Sequence, residues 1–163
     1  MLLMYRVVVD QTRTAVLPTL PRGGGSYMLW LHLPMDCPLT PGRLGTHTLP
    51  AGSYVYTGSA LGGLRGRVAR HLRARRVRHW HLDWLLDVAA VAEVWFNLGS
   101  ERLECLWAQG LATLPEARMP VARFGASDCR CPSHLIHWLE MPEPTSLLPV
   151  LGCDSFAATP QVW

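Results

Sequence analysis

The sequence contains no lysine, so all 15 of its basic residues are arginine. It has no apolar run that approaches membrane-spanning length, which excludes a transmembrane helix. Its five cysteines are odd in number and follow no regular disulfide spacing, unlike the cysteines of small secreted scaffolds. The first nine residues are apolar but too short and wrongly flanked for a secretory signal. We therefore expect a cytoplasmic protein in a reducing setting, with no membrane partner.

The composition is that of a folded chain with a basic segment. The 163 residues are 49% hydrophobic and carry a net charge of +3, which suits one domain with a sizeable core. Seven arginines fall between residues 65 and 78, and no acidic residue interrupts them before Asp83. The planar guanidinium pairs well with phosphate oxygens, so a polyanion-binding surface is one interpretation. A solvated helix face is the other.

Apolar periodicity predicts the elements of one α/β (α+β) domain. We expect residues 1–24 to form a leader, 25–140 the folded domain, and 141–163 a proline-rich tail. The predicted strands are 27–33, 49–57 and 92–98, and the predicted helices are 64–76, 79–88, 101–114 and 132–139. The expected architecture is a small, three-stranded, mostly antiparallel sheet flanked by helices.

The most informative stretch is 52–60, Gly-Ser-Tyr-Val-Tyr-Thr-Gly-Ser-Ala, which is followed by 63–71, Gly-Leu-Arg-Gly-Arg-Val-Ala-Arg-His. With Tyr27 upstream, it places tyrosines on two neighbouring strands. Arg67 and His71 lie four residues apart and therefore share one face of the next helix. These groups suit phosphodiester chemistry, which needs cations and a means of activating water. Taken alone, they also fit ordinary strand aromatics and a solvated helix-end histidine.

Four motifs in this order resemble the GIY-YIG nuclease superfamily. The resemblance is closest to its Uri-type endonuclease branch, whose domain was formerly one of unknown function (DUF123). The motifs are 52–60, 63–71, 79–83 (His-Trp-His-Leu-Asp) and 124–135 (Phe-Gly-Ala-Ser-Asp-Cys-Arg-Cys-Pro-Ser-His-Leu). The resemblance spans roughly residues 25 to 140. The two motifs that name the superfamily appear as Gly25-Ser26-Tyr27 and Tyr56-Thr57-Gly58, and Ser26 stands where isoleucine is usual.

The resemblance implies an endonuclease that hydrolyses DNA with Mg²⁺ or Mn²⁺ as cofactor. The catalytic residues that it implies are Tyr27, Tyr56, Arg67, His71 and Glu104. Tyr27 would act as general base or position the water, and Tyr56 would hold the water or the phosphate. Glu104 would be the Mg²⁺ ligand, with Glu101 as a competing candidate. The alternatives are a non-catalytic nucleic-acid-binding module on the same fold, with or without a structural zinc site, and a zinc-stabilised interaction domain. The sequence does not distinguish DNA from RNA.

The basic helix end and the residues after it would hold the nucleic-acid backbone, with an affinity that falls as salt rises. The predicted contacts are Arg65, Arg70, Arg73, Arg75, Arg76, Arg78, His79 and His81. Arg70 could also share the role of Arg67. His79 and Asp83, at i and i+4, fit either a pair that supports the site or a local ion pair in the first turn of a helix.

A cysteine-rich segment adds a candidate Zn²⁺ site. Cys129, Cys131 and His134 are residue types that bind zinc, and His137 or Cys105 could provide a fourth ligand. The Cys-x-Cys-x-x-His spacing is not a standard zinc-finger pattern. A thiol-lined packing corner and a branch-specific extension of the active site are the alternatives.

Overall fold

The structure, a computed structural model, describes residues 2–10, 16–74 and 77–158. Its strands are β1 (Met4–Val8), β2 (Gly25–Leu33), β3 (Cys37–Leu39), β4 (His47–Leu49), β5 (Gly52–Ala60), β6 (Ala90–Leu98), β7 (Leu135–Trp138) and β8 (Phe156–Ala157). Its α-helices are α1 (Leu64–Leu72), α2 (His81–Leu86), α3 (Glu104–Ala112) and α4 (Pro144–Leu147). None of the helices in these ranges combines the length and the apolar character needed to cross a membrane.

The main sheet has six strands in the order β7-β5-β2-β6-β1-β8, and β3 and β4 form a separate two-stranded sheet. Every neighbouring pair in the main sheet is antiparallel except β1 and β8, which are parallel. The prediction of a three-stranded sheet is therefore wrong. The predicted strands correspond to its centre, β5-β2-β6, and three further strands extend it on both sides.

The three additional strands come from segments for which the sequence predicted other structures. β1 lies in the segment predicted to be a leader, and β8 lies in the predicted tail. Arg6 on β1 makes two 2.7 Å hydrogen bonds to the carboxylate of Glu93 on β6, which helps to fix the β1–β6 pair. β7 falls where a last helix was predicted from Pro132. All four residues of β7 are buried and pair with β5. Pairing with the sheet therefore determines the conformation of this segment.

The sheet is covered on both faces, and β2 shows this most clearly. Tyr27, Leu29 and Leu31 pack into one core with Leu64 and Val68 of α1. The alternating residues Met28 and Trp30 pack into a second core with Trp107 of α3. Since successive side chains of a strand point to opposite faces, a strand buried on both sides has an almost continuous apolar sequence.

α1 is shorter than predicted, but its buried stripe is confirmed. Leu64, Val68 and Leu72 are all buried, and the helix ends at Leu72 instead of residue 76. Arg75 and Arg76, both predicted to contact nucleic acid, lie outside the described residues.

The first turn of α3 is attached to the central strands through Ser26. The helix begins at Glu104 instead of Glu101, and the backbone N–H of Leu103 donates a 2.9 Å hydrogen bond to Ser26 Oγ. Ser26 Oγ also donates to the Glu101 carbonyl (3.2 Å) and lies 2.8 Å from Ser59 Oγ on β5. Ser26, which departs from the family motif, therefore satisfies a backbone donor at a helix N-terminus.

Candidate active-site cleft and cysteine–histidine cluster

A cleft of about 600 Å³ lies between β5, α1, the residues around the start of α2, the first turn of α3 and the loop 124–134. Six of the residues that the sequence analysis singled out line it: Tyr56, Arg67, His79, His81, Glu104 and His134. They come from five separate parts of the chain. Tyr27 and His71, also predicted to be catalytic, are not among the residues that line the cleft.

Tyr27 and His71 form a buried pair. The phenol oxygen of Tyr27 lies 2.8 Å from His71 Nε2, and the two residues are only 1% and 2% exposed. The Tyr27 ring packs directly over Gly58, where a Cβ atom would lie 2.7 Å from both Cζ and Oη. Burial raises the pKa of Tyr27 well above its ordinary value, and the neighbouring Tyr56 adds to this effect. Tyr27 is therefore protonated at neutral pH.

Tyr56 is the tyrosine that faces the cleft, with 8% of its surface exposed. Burial raises its pKa to about 12, Arg67 opposes that rise, and Glu104 adds to it. Gly125 has a φ of +69°, and a Cβ atom there would lie 2.7 Å from Tyr56 Cε2. A residue other than glycine would therefore be strained at this position and would also displace the ring.

Arg67 and Arg70 both lie against the ring of Trp80, but they have different partners. Their guanidinium carbons are 4.5 Å and 4.0 Å from the ring centroid. Arg70 also makes two 2.9 Å hydrogen bonds to the carboxylate of Asp83, whose side chain is fully buried. Arg70 is therefore held by Asp83, and Arg67 is the one of the two that lines the cleft.

Asp83 caps the start of α2 and does not pair with the side chain of His79. It accepts hydrogen bonds from the backbone N–H groups of His79 (2.7 Å) and Trp80 (2.9 Å). Burial alone would raise the pKa of Asp83, but these hydrogen bonds and those from Arg70 lower it to about 2. Asp83 therefore lies in the first turn of a helix, as one interpretation predicted, but its ion pair is with Arg70 and not with His79.

The other arginines that were predicted to contact nucleic acid have different partners and different exposure. Arg65 donates to the Leu20 carbonyl at 2.7 Å, and Arg78 pairs with Asp87 at 2.7 Å. Arg73 follows the end of α1 and is exposed. The described arginines of the basic segment thus do not all face the cleft.

Glu104 and Asp128 are the two carboxylate residues that line the cleft, and Glu104 is the one predicted to bind Mg²⁺. One of its oxygens accepts a hydrogen bond from Ser59 Oγ, and the other lies 3.9 Å from Arg102 Nη1. The Thr57 hydroxyl donates to the Glu104 carbonyl at 2.9 Å, so both the backbone and the side chain of Glu104 contact β5. The competing candidate Glu101 is exposed and precedes the helix.

His81 is held in one orientation by the loop 124–134. The backbone N–H of Gly125 donates to His81 Nδ1 at 2.9 Å, and burial lowers the pKa of His81. Neutral His81 therefore carries its proton on Nε2. His81 was predicted only to contact the nucleic-acid backbone, since no local sequence pattern relates position 81 to position 125.

A cluster of three thiols and one imidazole adjoins the cleft. The ligand atoms of Cys105, Cys129, Cys131 and His134 all lie within 4.8 Å of one another, a set that could hold a metal such as zinc. Burial raises the pKa of the Cys105 thiol and lowers the pKa of His134. His137, the other candidate ligand, is directed elsewhere, with its Nε2 3.0 Å from the Ala51 carbonyl oxygen.

The sequence profile of one protein family, described as domain of unknown function DUF123, matches residues 26–151. That range contains every residue of the cleft and of the cysteine–histidine cluster. No curated protein and no solved structure matches the chain.

Proposed function

This chain belongs to the DUF123 family, and we propose that it is a divalent-metal-dependent endonuclease that hydrolyses DNA through a single GIY-YIG-type site. One observation carries the proposal: Tyr56, Arg67, His81 and Glu104, from different elements, converge on one cleft. Their groups are a hydroxyl, a cation, a neutral N–H donor and a carboxylate. Together these groups can activate water, hold a cation and stabilise the charge that develops during phosphodiester hydrolysis.

Arg67 and His81 stabilise the negative charge that develops on the phosphate oxygens. The guanidinium of Arg67 lies against Trp80, which limits its rotation and orients its N–H groups. His81 accepts from Gly125 through Nδ1 and so presents Nε2–H as a donor. Because both donors are positioned before substrate binds, little reorganisation is needed during the reaction.

Glu104 is the residue that would hold Mg²⁺ or Mn²⁺. A carboxylate suits a hard cation that prefers oxygen ligands and retains several waters, and the Ser59 hydroxyl fixes its orientation. When bound, the cation would supply positive charge at the phosphate and the leaving oxygen. The second carboxylate oxygen of Glu104 lies 3.9 Å from Arg102 Nη1, which is too far for a close ion pair. This oxygen could therefore bind the cation without breaking a strong contact to Arg102.

Tyr56 orients the attacking water as a neutral phenol. With a pKa of about 12 it keeps its proton at neutral pH, so it contributes hydrogen bonds and not a phenolate base. Tyr27 is buried behind Tyr56 and is hydrogen-bonded to His71, and it supports the position of the Tyr56 ring. This assignment differs from the role of general base that the resemblance implied for Tyr27.

The same protonation states favour one rival function, a nucleic-acid-binding module without catalysis. Both tyrosines are protonated at neutral pH, and Nδ1 of His81 is already occupied by Gly125. On this view, Arg67 would contact the phosphate backbone without any hydrolysis. The two functions differ in whether Glu104 is needed.

The test is cleavage of labelled duplex, nicked, forked and single-stranded DNA, with RNA as a further substrate, in Mg²⁺ or Mn²⁺. Glu104→Gln is compared with wild type and with Glu101→Gln, a matched control three residues earlier and outside the cleft. We expect Glu104→Gln to lose about 10²-fold or more of the cleavage rate while Glu101→Gln retains it. If wild type binds DNA in a salt-dependent way but cuts nothing with either metal, the binding module is correct.

A further inference from the structure

The inference concerns the cysteine–histidine cluster and does not depend on the nuclease proposal. We propose that Cys105, Cys129, Cys131 and His134 bind one Zn²⁺ in a closed tetrahedral site that joins α3 to the loop 124–134. Three of these ligands lie within six residues of one another, and Cys105 is brought to them from α3, 29 residues before His134. No contiguous motif describes such a set.

Two nitrogen–sulfur distances in the cluster match those of a zinc tetrahedron. Zinc–sulfur bonds of about 2.3 Å and zinc–nitrogen bonds of about 2.0–2.1 Å place a tetrahedral nitrogen and sulfur roughly 3.5 Å apart. His134 Nε2 lies 3.5 Å from Cys105 Sγ and 3.5 Å from Cys129 Sγ. These two nitrogen–sulfur separations are therefore those of a bound site, and all the ligand atoms lie within 4.8 Å of one another.

The backbone around the ligands is held in place by other residues. Arg123 donates to the carbonyl of Cys131 at 2.7 Å and to that of Cys129 at 2.6 Å. The N–H of His134 donates to the Phe124 carbonyl at 2.8 Å, and its carbonyl accepts from Thr57 N–H of the main chain at 3.1 Å. A ligand set that the fold already orders loses less entropy when metal binds.

One thiol also has a donor beyond the ligand set. Gln109 Nε2, one turn along α3 from Cys105, lies 3.8 Å from Cys131 Sγ and is directed at it. Such donors stabilise the charge of a thiolate in a metal site. Gln109 is an exposed residue, so packing against its neighbours does not account for the orientation of its amide toward Cys131.

The chemistry of the ligands selects zinc and a structural role. Three thiolates and one imidazole are soft ligands, unlike the oxygen donors that Mg²⁺ requires. Four protein ligands leave no open position for water or substrate, which is the pattern of structural zinc sites. Cys105 directly follows Glu104, and His134 lines the cleft, so the metal would fix two walls of the cleft relative to each other.

The experiment measures zinc per chain by mass spectrometry of the metal in the full-length protein, purified without chelator. Wild type is compared with Cys105→Ser and Cys131→Ser, and with the matched control Cys37→Ser, whose cysteine lies on β3 outside the cluster. We expect about one zinc per chain in wild type and in the control, and less than roughly a tenth of that in the two cluster variants.

A second measurement does not require the variants to fold. Wild type is stripped of metal and titrated with Co²⁺, and the absorption of tetrahedral cobalt–thiolate sites is recorded. We expect one equivalent of Co²⁺ to produce it, Zn²⁺ to abolish it, and zinc to raise Tm. Wild type that retains no zinc after purification with ZnCl₂, Cys105→Ser that retains a full equivalent, or a disulfide within the cluster would each overturn the inference. All these readouts are independent of DNA cleavage.

Discussion

The buried ion pair of Asp83 and Arg70 leads to the sharpest stability prediction. Asp83 has a fully buried side chain, accepts two hydrogen bonds from Arg70, and accepts two more from backbone N–H groups at the start of α2. Asp83→Asn keeps the shape of the side chain and one acceptor oxygen but removes the charge. Arg70, whose side chain is 22% exposed, then loses its ionic partner beside Trp80.

The magnitude follows from the pKa of Asp83. The hydrogen bonds outweigh the effect of burial and lower this pKa from 3.8 to about 2, which corresponds to about 2 kcal/mol of folding free energy at neutral pH. Breaking a buried pair from one side costs about 3–5 kcal/mol, and the remaining acceptor of asparagine reduces that cost. We therefore expect Asp83→Asn to destabilise the protein by about 2–4 kcal/mol.

The pH dependence has a definite sign. Because the folded pKa lies below the unfolded one, the contribution of Asp83 is complete above about pH 5 and is lost as the pH falls from about 4 to about 2. Urea unfolding of wild type and Asp83→Asn across this range measures it. The difference in unfolding free energy between the two proteins should shrink as the pH falls.

Asp87→Asn is the matched control, because Asp87 follows α2 and pairs with Arg78 on the surface. The side chains of that pair are 35% and 54% exposed, so its loss should cost less than about 1 kcal/mol. Equal destabilisation by the two substitutions, or a difference between Asp83→Asn and wild type that does not change between pH 6 and pH 3, would refute the assignment of the buried charge to Asp83.

Two further predictions concern the packing of Gly58 against Tyr27 and the hydrogen bond from Leu103 to Ser26. Gly58→Ala should destabilise the protein by about 1–3 kcal/mol in urea unfolding, because the new Cβ would lie 2.7 Å from the Tyr27 ring. Gly66→Ala, in α1 with open space around it, should instead stabilise by up to about 1 kcal/mol, and the same sign for both variants would contradict the packing argument. Ser26→Ala should cost about 1 kcal/mol or more of unfolding free energy, because Leu103 N–H loses its acceptor, and an unchanged urea midpoint would count against that role.

The parts of the fold that follow a clear period were predictable from sequence. Apolar runs located the strands β2, β5 and β6, and the i, i+4 pattern located the buried stripe of α1, because the core requires apolar residues at these positions. β1, β7 and β8 are short, and their conformation depends on pairing with strands distant in sequence. Leu135–Trp138 shows the limit: the local proline signal favoured a helix, but burial against β5 determines a strand.

The same reasoning explains which parts of the site were predictable. Tyr56 and Arg67 were found through motifs and Glu104 through the family resemblance, and all three line one cleft. The bond between Gly125 and His81 and the approach of Cys105 to His134 each join residues that are far apart in the chain. Spacing in the sequence contains no information about such contacts, so the tautomer of His81 and the fourth ligand of the cluster could only be identified in three dimensions.

The strand order of the main sheet has a consequence for how quickly the chain can fold. The pairs on either side of the sheet centre are formed by distant segments: Arg6 of β1 contacts Glu93 of β6, 87 residues later. At a synthesis rate of 5–20 residues per second, β1 waits roughly 4 to 17 s for its partner strand to be made. Sheets built from such non-local pairs fold in milliseconds to seconds, with loop closure as the slow contribution. The β5-β2-β6 centre can form first, and the outer strands β7, β1 and β8 then add to it.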